Sequence, residues 1–415
     1  MKAVVIGGGI IGLCSAYYLS EAGYDVTLVD RTDLSDSCSY GNLGMIVPSH
    51  FVPLAAPGIV SQGIRWMFNS KSPFYVRPVP TPSLLSWGVK FLRSATEKNV
   101  TNATSFLLDI NLLSRSLYED LKDEPGFDFA YEHKGIMMYF RTPQVAEEEV
   151  HLAEKAKSMG LDVVSLSKDE AQRLEPEMEL DVLGAVHYRC DAHLYPNKLN
   201  KQLIRELASR GVNVITGSEV KAIQTKKGQI ASIIVGEREI SADIFVAAAG
   251  AWLPHIMQLA GSNIPLMPGK GYSFTLDNPT QKLNIPAILC EARVAITPMD
   301  GKMRYGGTME LGPVNRQVNM NRVQGIVQSV PSYFSNIQLQ MPQREEVWYG
   351  FRPCSPDGLP YIGYSKQLSN LIVAGGHAMM GLSLGPATGK LVAELASRGG
   401  STSINISAFD PNRFS

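Results

Sequence analysis

The sequence predicts an α/β protein in two parts. One is a parallel sheet clothed by helices and assembled from discontinuous segments; the other is an α+β domain on a mixed or antiparallel sheet. Three observations predict it. Residues 1–30 read strand, glycine turn, helix, strand. A strand, a glycine loop and a helix start recur at 371–397. Between them, 265–344 carries segments alternating with the two-residue period of strands.

Ala3 to Ile6 is wholly apolar, as a strand buried on both faces must be. Gly7, Gly9 and Gly12 follow with GxGxxG spacing. The first permits a sharp turn, the second lets backbone approach a pyrophosphate, and the third lets the helix pack on the sheet. The start of the helix over Leu13 to Ala22 offers free N–H groups and a positive dipole end to phosphates. Val26 to Val29 is a second buried strand, ending on Asp30 where a carboxylate accepts a ribose hydroxyl and disfavours a 2′-phosphorylated nucleotide. The order of these parts, rather than the glycines alone, makes this a Rossmann-type nucleotide site.

Composition narrows the class. The chain of 415 residues has 38 Lys plus Arg against 39 Asp plus Glu, so no charge excess points to nucleic acid. Its five cysteines are scattered without a CxxC pair, which indicates reduced thiols in the cytoplasm and neither structural zinc nor another metal site. The apolar start resembles a signal peptide, but cleavage would destroy the nucleotide motif. Ile244 to Leu253 is too short to span a bilayer. Peripheral contact with the inner face of a membrane stays open.

After Asp30 the regular strand-helix alternation stops, and Ser37 to His50 forms a turn-rich loop of small residues suited to a long, flat cofactor. Residues 54–82 read as an irregular cover with short helices. Leu85, Val89, Leu92, Phe106, Ile110, Leu113, Leu117 and Leu121 mark two helices split near Lys98 to Thr101. A strand over Gly135 to Phe140 and helices over Val145 to Met159 and Lys168 to Leu174 follow, the last entered after Ser167. A helix from Pro196 to Ser209 and a strand over Val212 to Ile215 return to the nucleotide style, with Val220 beside an adenine ring. The buried strand Ile244 to Ala249 closes on Gly250. Met299-Asp300-Gly301 has hairpin chemistry. We place the nucleotide-binding domain at 1–50, 185–260 and 345–415, and the substrate domain, with a helical insertion, at 51–184 and 261–344.

Two helix N-termini aimed into one cleft suggest two sites of negative charge. A pyrophosphate is one, and a reduced flavin ring is another, so the residues favour FAD over NAD.

Four segments, VVIGGGIIG (Val4 to Gly12), SYGNLGMIVP (Ser39 to Pro48), GFRPCSPDGLPYIG (Gly350 to Gly363) and GGHAMMGLSLGPATG (Gly375 to Gly389), resemble the glycine and D-amino-acid oxidase family of FAD proteins, and its bacterial D-amino-acid dehydrogenase branch most of all. The resemblance implies a flavin lying between the two domains. Its contacts would fall on Gly7, Gly9, Ile10, Ile11, Gly12, Asp30, Arg31, Ser39, Asn42, Leu43, Val220, Gly250, Gly381, Leu382 and Ser383, with His377 beside the flavin edge.

Arg352 is the substrate candidate, because a guanidinium grips an amino-acid carboxylate with two parallel bonds and fixes Cα–H over flavin N5. His50, Tyr272 and Tyr305 are candidates for lining the pocket, and no acid-base pair is assigned. Where the oxidases place tyrosines, this chain reads Cys290, Glu291, Ala292 and Arg293. That departure points to an unusual substrate such as D-proline or hydroxy-D-proline. The expected reaction is FAD-dependent oxidation of the Cα–N bond of a D-amino acid to the imino acid, hydride passing to flavin N5. Sarcosine or another N-methyl amino acid, an L-amino acid, or a non-catalytic electron-transfer subunit are the alternatives. Quinone, partner protein and oxygen all remain open as electron acceptor.

Overall fold

The computed structural model describes residues 1–58, 72–77, 81–397 and 402–415. Part of the irregular cover expected at 54–82 therefore lies outside the described residues. A six-stranded sheet runs in the order Tyr361–Tyr364, Leu371–Gly375, Ile244–Ala247, Lys2–Ile6, Asp25–Val29, Asn213–Ile215. Every neighbouring pair is parallel except the first. Its middle strands are apolar on both faces because both faces are covered, which is why they read as unbroken hydrophobic runs.

On one face, helices Ile10–Glu21 and Gly385–Ala396 pack against each other and against helix Glu97–Asp123, and all three share one core with the sheet. Close approach depends on Gly12, where a Cβ would lie 1.7 Å from the Gly7 carbonyl oxygen. Gly7 itself turns out of the strand at φ 114°, a conformation closed to other residues. The other face is filled by helix Leu253–Leu259 and a three-stranded antiparallel sheet, Val220–Lys226, Gln229–Val235 and Arg238–Ile240.

A second, nine-stranded mixed sheet has the order Trp348–Cys354, Met267–Leu276, Lys302–Leu311, Val294–Met299, Ala287–Leu289, Ile136–Phe140, Gly184–Tyr188, Val163–Ser167, with Phe74–Val76 alongside Lys302–Leu311. The hairpin between Val294–Met299 and Lys302–Leu311 closes on Asp300 and Gly301 at φ 51° and 82°, as a type I′ turn requires. Helix Lys168–Leu174 starts at a Ser167–Glu170 capping box.

Two sheet memberships cut across the boundaries drawn from sequence. Gly184–Tyr188 pairs between Ile136–Phe140 and Val163–Ser167, and Trp348–Cys354 forms the edge beside Met267–Leu276. Breaks at 185 and 345 would remove both strands from the larger sheet, because short apolar strands look alike whichever sheet takes them. The helix split also moves, to Ala95–Thr96, where Thr96 caps the second helix by accepting from the Asn99 N–H. Leu85, Val89 and Leu92 on helix Pro82–Ser94 face outward, while Trp87 supplies the buried face.

Candidate active site

The two sheets flank a cavity of about 1140 Å³, larger than a drug-sized ligand needs. The first glycine loop, the loop after Asp30 and the C-terminal glycine loop all open onto it. An isolated antiparallel bridge between Cys354 and His377 ties the edge of the larger sheet to that last loop.

Of the cofactor residues expected from sequence, Gly7, Gly9, Ile10, Ile11, Asp30, Arg31, Ser39, Asn42, Leu43, Val220, Gly250, His377, Gly381, Leu382 and Ser383 all line the cavity. Gly12 does not, and serves helix packing instead. Asp30 accepts from the Gly8 N–H at 2.6 Å and from Thr32, so it braces the glycine loop while facing the cavity. Ser39 Oγ accepts the Ile10 N–H at 3.1 Å, capping the first helix from a distant loop. Ser383 Oγ accepts from the Val47 N–H at 3.0 Å, joining the two loops. Arg31 stacks over the Trp252 ring at 4.0 Å.

The substrate candidates separate. Arg352 lines the cavity, its guanidinium donating to the Thr308 carbonyl, and no carboxylate lies within ion-pair distance among the described residues. Burial pulls its pKa below the usual guanidinium value. Gly271 makes the slot: a Cβ there would sit 2.5 Å from the Arg352 guanidinium carbon. His50 also lines the cavity. Tyr272 borders it, but its hydroxyl accepts from the Asn319 N–H at 3.2 Å within the core of the larger sheet. Tyr305 is corrected outright. It is buried in that core, stacked on Phe274 with ring centroids 5.4 Å apart, and is not among the residues that line the cavity.

Sequence reasoning missed three features. Arg304, the neighbour of Tyr305, is 4 % exposed and donates to the carbonyls of Tyr40 and Asn42 at 2.8 and 2.7 Å, to Asn197 and to Thr275. It clamps the cofactor loop to the larger sheet, and burial pulls its pKa to about 10. Thr308 Oγ1 is buried without a hydrogen-bond partner beside Arg352, and His377 Nδ1 is likewise unpartnered. Third, Arg293, Thr308 and Ala378 all line the cavity with positive φ of 53°, 60° and 49°. Backbone strain of this kind concentrates where a site is held for function. None of the three announces itself in the sequence, because each depends on partners far away along the chain.

A flavin nucleotide fits what is present. The glycine loop that starts helix Ile10–Glu21 and the glycine loop before helix Gly385–Ala396 both border the cavity, side by side, with Ile10 close to Gly385. A helix-covered, mostly parallel sheet with a glycine-loop turn, facing a second, mixed sheet across such a cavity, is the arrangement of a flavin-dependent oxidoreductase.

The comparisons agree. Residues 2–395 match the family model described as FAD dependent oxidoreductase. The D-amino acid dehydrogenase of Vibrio vulnificus (strain CMCP6) is 31% identical, with 100% of each chain covered, and that of Helicobacter pylori is 28% identical over 96% of this chain and 95% of its own. Among solved structures, glycine oxidase from Geobacillus kaustophilus superposes with a TM-score of 0.79 at 23% identity, covering 99% of each chain. L-proline dehydrogenase from P. horikoshii gives 0.77 at 20% identity, covering 100% of this chain and 97% of its own. The chain belongs to the FAD-dependent oxidoreductase family, and its cofactor is FAD. No helix among the described residues is long and apolar enough to cross a membrane.

Proposed function

We propose that this enzyme oxidises the Cα–N bond of a D-amino acid, and of a cyclic D-imino acid such as D-proline or its hydroxylated form in particular. The observation that carries the reading is Arg352, a half-buried cation beside the cavity whose hydrogen bond goes to a carbonyl and not to an acid. Such a cation lacks its counter-charge until a carboxylate arrives, and a guanidinium takes a carboxylate at two oxygens at once.

Bound FAD supplies the two-electron acceptor for the Cα–H bond. This chain's own residues do the rest. The Thr308 carbonyl holds one edge of the Arg352 guanidinium and leaves the opposite edge for the carboxylate, while Gly271 keeps the slot clear. Gly306 and Gly307 line the cavity beside it, leaving space for a compact ring. His50 and Arg293 form a polar wall that suits a hydroxyl on that ring. The naming of the curated relatives as D-amino acid dehydrogenases supports the D configuration.

The test is anaerobic bleaching of the bound flavin by D-proline, hydroxy-D-proline, D-alanine, sarcosine and L-proline. Fastest bleaching by a cyclic D-imino acid is the expected result. Preference for sarcosine or L-proline, or no bleaching by any amine, overturns the reading.

A further inference from the structure

We propose that His50, positioned by Ser49 and Asp191, is the proton acceptor for the substrate nitrogen, an inference that rests on the amine-oxidising reading above. Ser49 Oγ lies 2.5 Å from Asp191 Oδ2 and 3.0 Å from His50 Nδ1, so three side chains form one chain ending at the cavity wall. The backbone N–H of Ser49 also donates to Asp191 Oδ1 at 3.0 Å, fixing the serine against the acid.

Asp191 is fully buried and has no cation within ion-pair distance among the described residues. Donors from Ser49 and Cys190 surround its oxygens, and the nearest guanidinium, Arg115, instead donates to the Cys190 carbonyl at 2.9 Å. A carboxylate held in this way is costly unless its charge has a use. Burial raises its pKa to about 7, while the Ser49 and Cys190 donors favour the ionised form.

Proton bookkeeping along the chain sets the histidine. A hydroxyl has one hydrogen, and Ser49 gives it to the carboxylate at the shorter contact, so the serine oxygen receives Nδ1–H from His50. Nε2 is then the bare nitrogen, and it makes no hydrogen bond among the described residues. Arg293, which enters strand Val294–Met299, and burial both oppose a charge on the ring, so His50 is neutral at neutral pH. Glu149, on helix Pro143–Ser158, is near enough to Arg293 to feel its charge.

An amino acid in water carries a protonated nitrogen, which has no lone pair to push on Cα. One N–H bond must break before the Cα–H bond does. The proton forms a new bond to His50 Nε2, the electron pair stays on nitrogen, and no oxidation occurs in this step. Asp191 stabilises the resulting imidazolium across the serine.

The test uses the FAD-loaded wild type with Ser49→Ala, Asp191→Asn and His50→Gln. With D-proline, Ser49→Ala should lose about tenfold or more in kcat/KM near pH 7. The deficit should narrow progressively as pH rises above about 10, where a growing share of the substrate arrives with its secondary amine deprotonated. Affinity for cyclopentanecarboxylate, which has the carboxylate and no nitrogen, should match wild type. Histidine ¹⁵N spectra should place the His50 proton on Nδ1 in the wild type and shift it toward Nε2 in Ser49→Ala. An equal deficit at every pH, weakened cyclopentanecarboxylate binding, or a wild-type Nε2–H tautomer overturns the proposal; Ser49→Ala decides if Asp191→Asn does not fold. A wild type that no amine reduces overturns the parent reading and this one together, whereas a wild type that is reduced and variants that keep its profile overturn this one alone.

Discussion

The Arg304 guanidinium donates to the backbone carbonyl of Asn42 at 2.7 Å, across 262 residues of chain. With the neighbouring bond to Tyr40, this contact makes the larger sheet a support for the cavity-lining loop over Ser37 to Val47 as well as one wall of the cavity.

Arg304→Met is expected to leave the Tyr40 and Asn42 carbonyls unpaired in a buried place, at about 1–3 kcal/mol each. The folded protein should lose roughly 3–5 kcal/mol of stability and release FAD more readily. Thermal unfolding and flavin retention on dilution measure the two effects, and retention equal to wild type would contradict the loop-clamp role.

Arg352→Lys keeps the positive charge and loses the two-point grip. KM for the amino acid should rise about 10- to 100-fold, the cost of a lost charged hydrogen bond, with flavin absorbance unchanged. Steady-state kinetics beside the visible spectrum check it.

Gly271→Ala introduces a methyl group 2.5 Å from the Arg352 guanidinium carbon. Displacement of the guanidinium should raise KM in the same direction as Arg352→Lys while FAD stays bound. Combining the two changes should give much less than the product of their effects, since both act on one contact.

Acid should weaken the fold at His377. Its ring donates to or accepts from Thr388 Oγ1 at 2.9 Å through Nε2, and burial pushes its pKa down from 6.5 to about 3. The unfolded chain therefore binds a proton that the folded chain refuses between those values, so stability contributed by the neutral ring is lost as pH falls from about 6.5 toward 3. Asp191 and Glu175, both raised to about 7 by burial, act with the opposite sign over part of this range. Comparing melting temperatures of wild type and His377→Asn from about pH 4.5 to 7.5 isolates the histidine, because the carboxylates are common to both. The difference should favour the variant increasingly as pH falls; a constant difference would remove His377 from this account.

What the sequence revealed was local. Gly7, Gly9 and Gly12 act within one turn of chain, and Asp300-Gly301 dictates its own hairpin, so order and spacing suffice to read them. Arg304 and Tyr305 show the limit. They are adjacent, strand geometry sends them to opposite faces, and the register that decides which partners each meets is set by pairing with Met267–Leu276, interrupted between Lys270 and Tyr272. Ser49 and Asp191 stand 142 positions apart, and nothing in either neighbourhood announces the other. The same non-locality hid the sheet membership of Gly184–Tyr188 and Trp348–Cys354.

The parallel sheet has a consequence for biosynthesis. Lys2–Ile6 is made long before the strand and helix it needs, since its layer includes Leu371–Gly375 and the helix that follows it is covered by Gly385–Ala396. A nascent chain must hold strands Lys2–Ile6 and Asp25–Val29 and the helix between them in an unfinished state until the segment from 371 to 396 has been made. Cofactor loading is accordingly a post-translational event, and ribosome-stalled chains ending before residue 371 should emerge without colour.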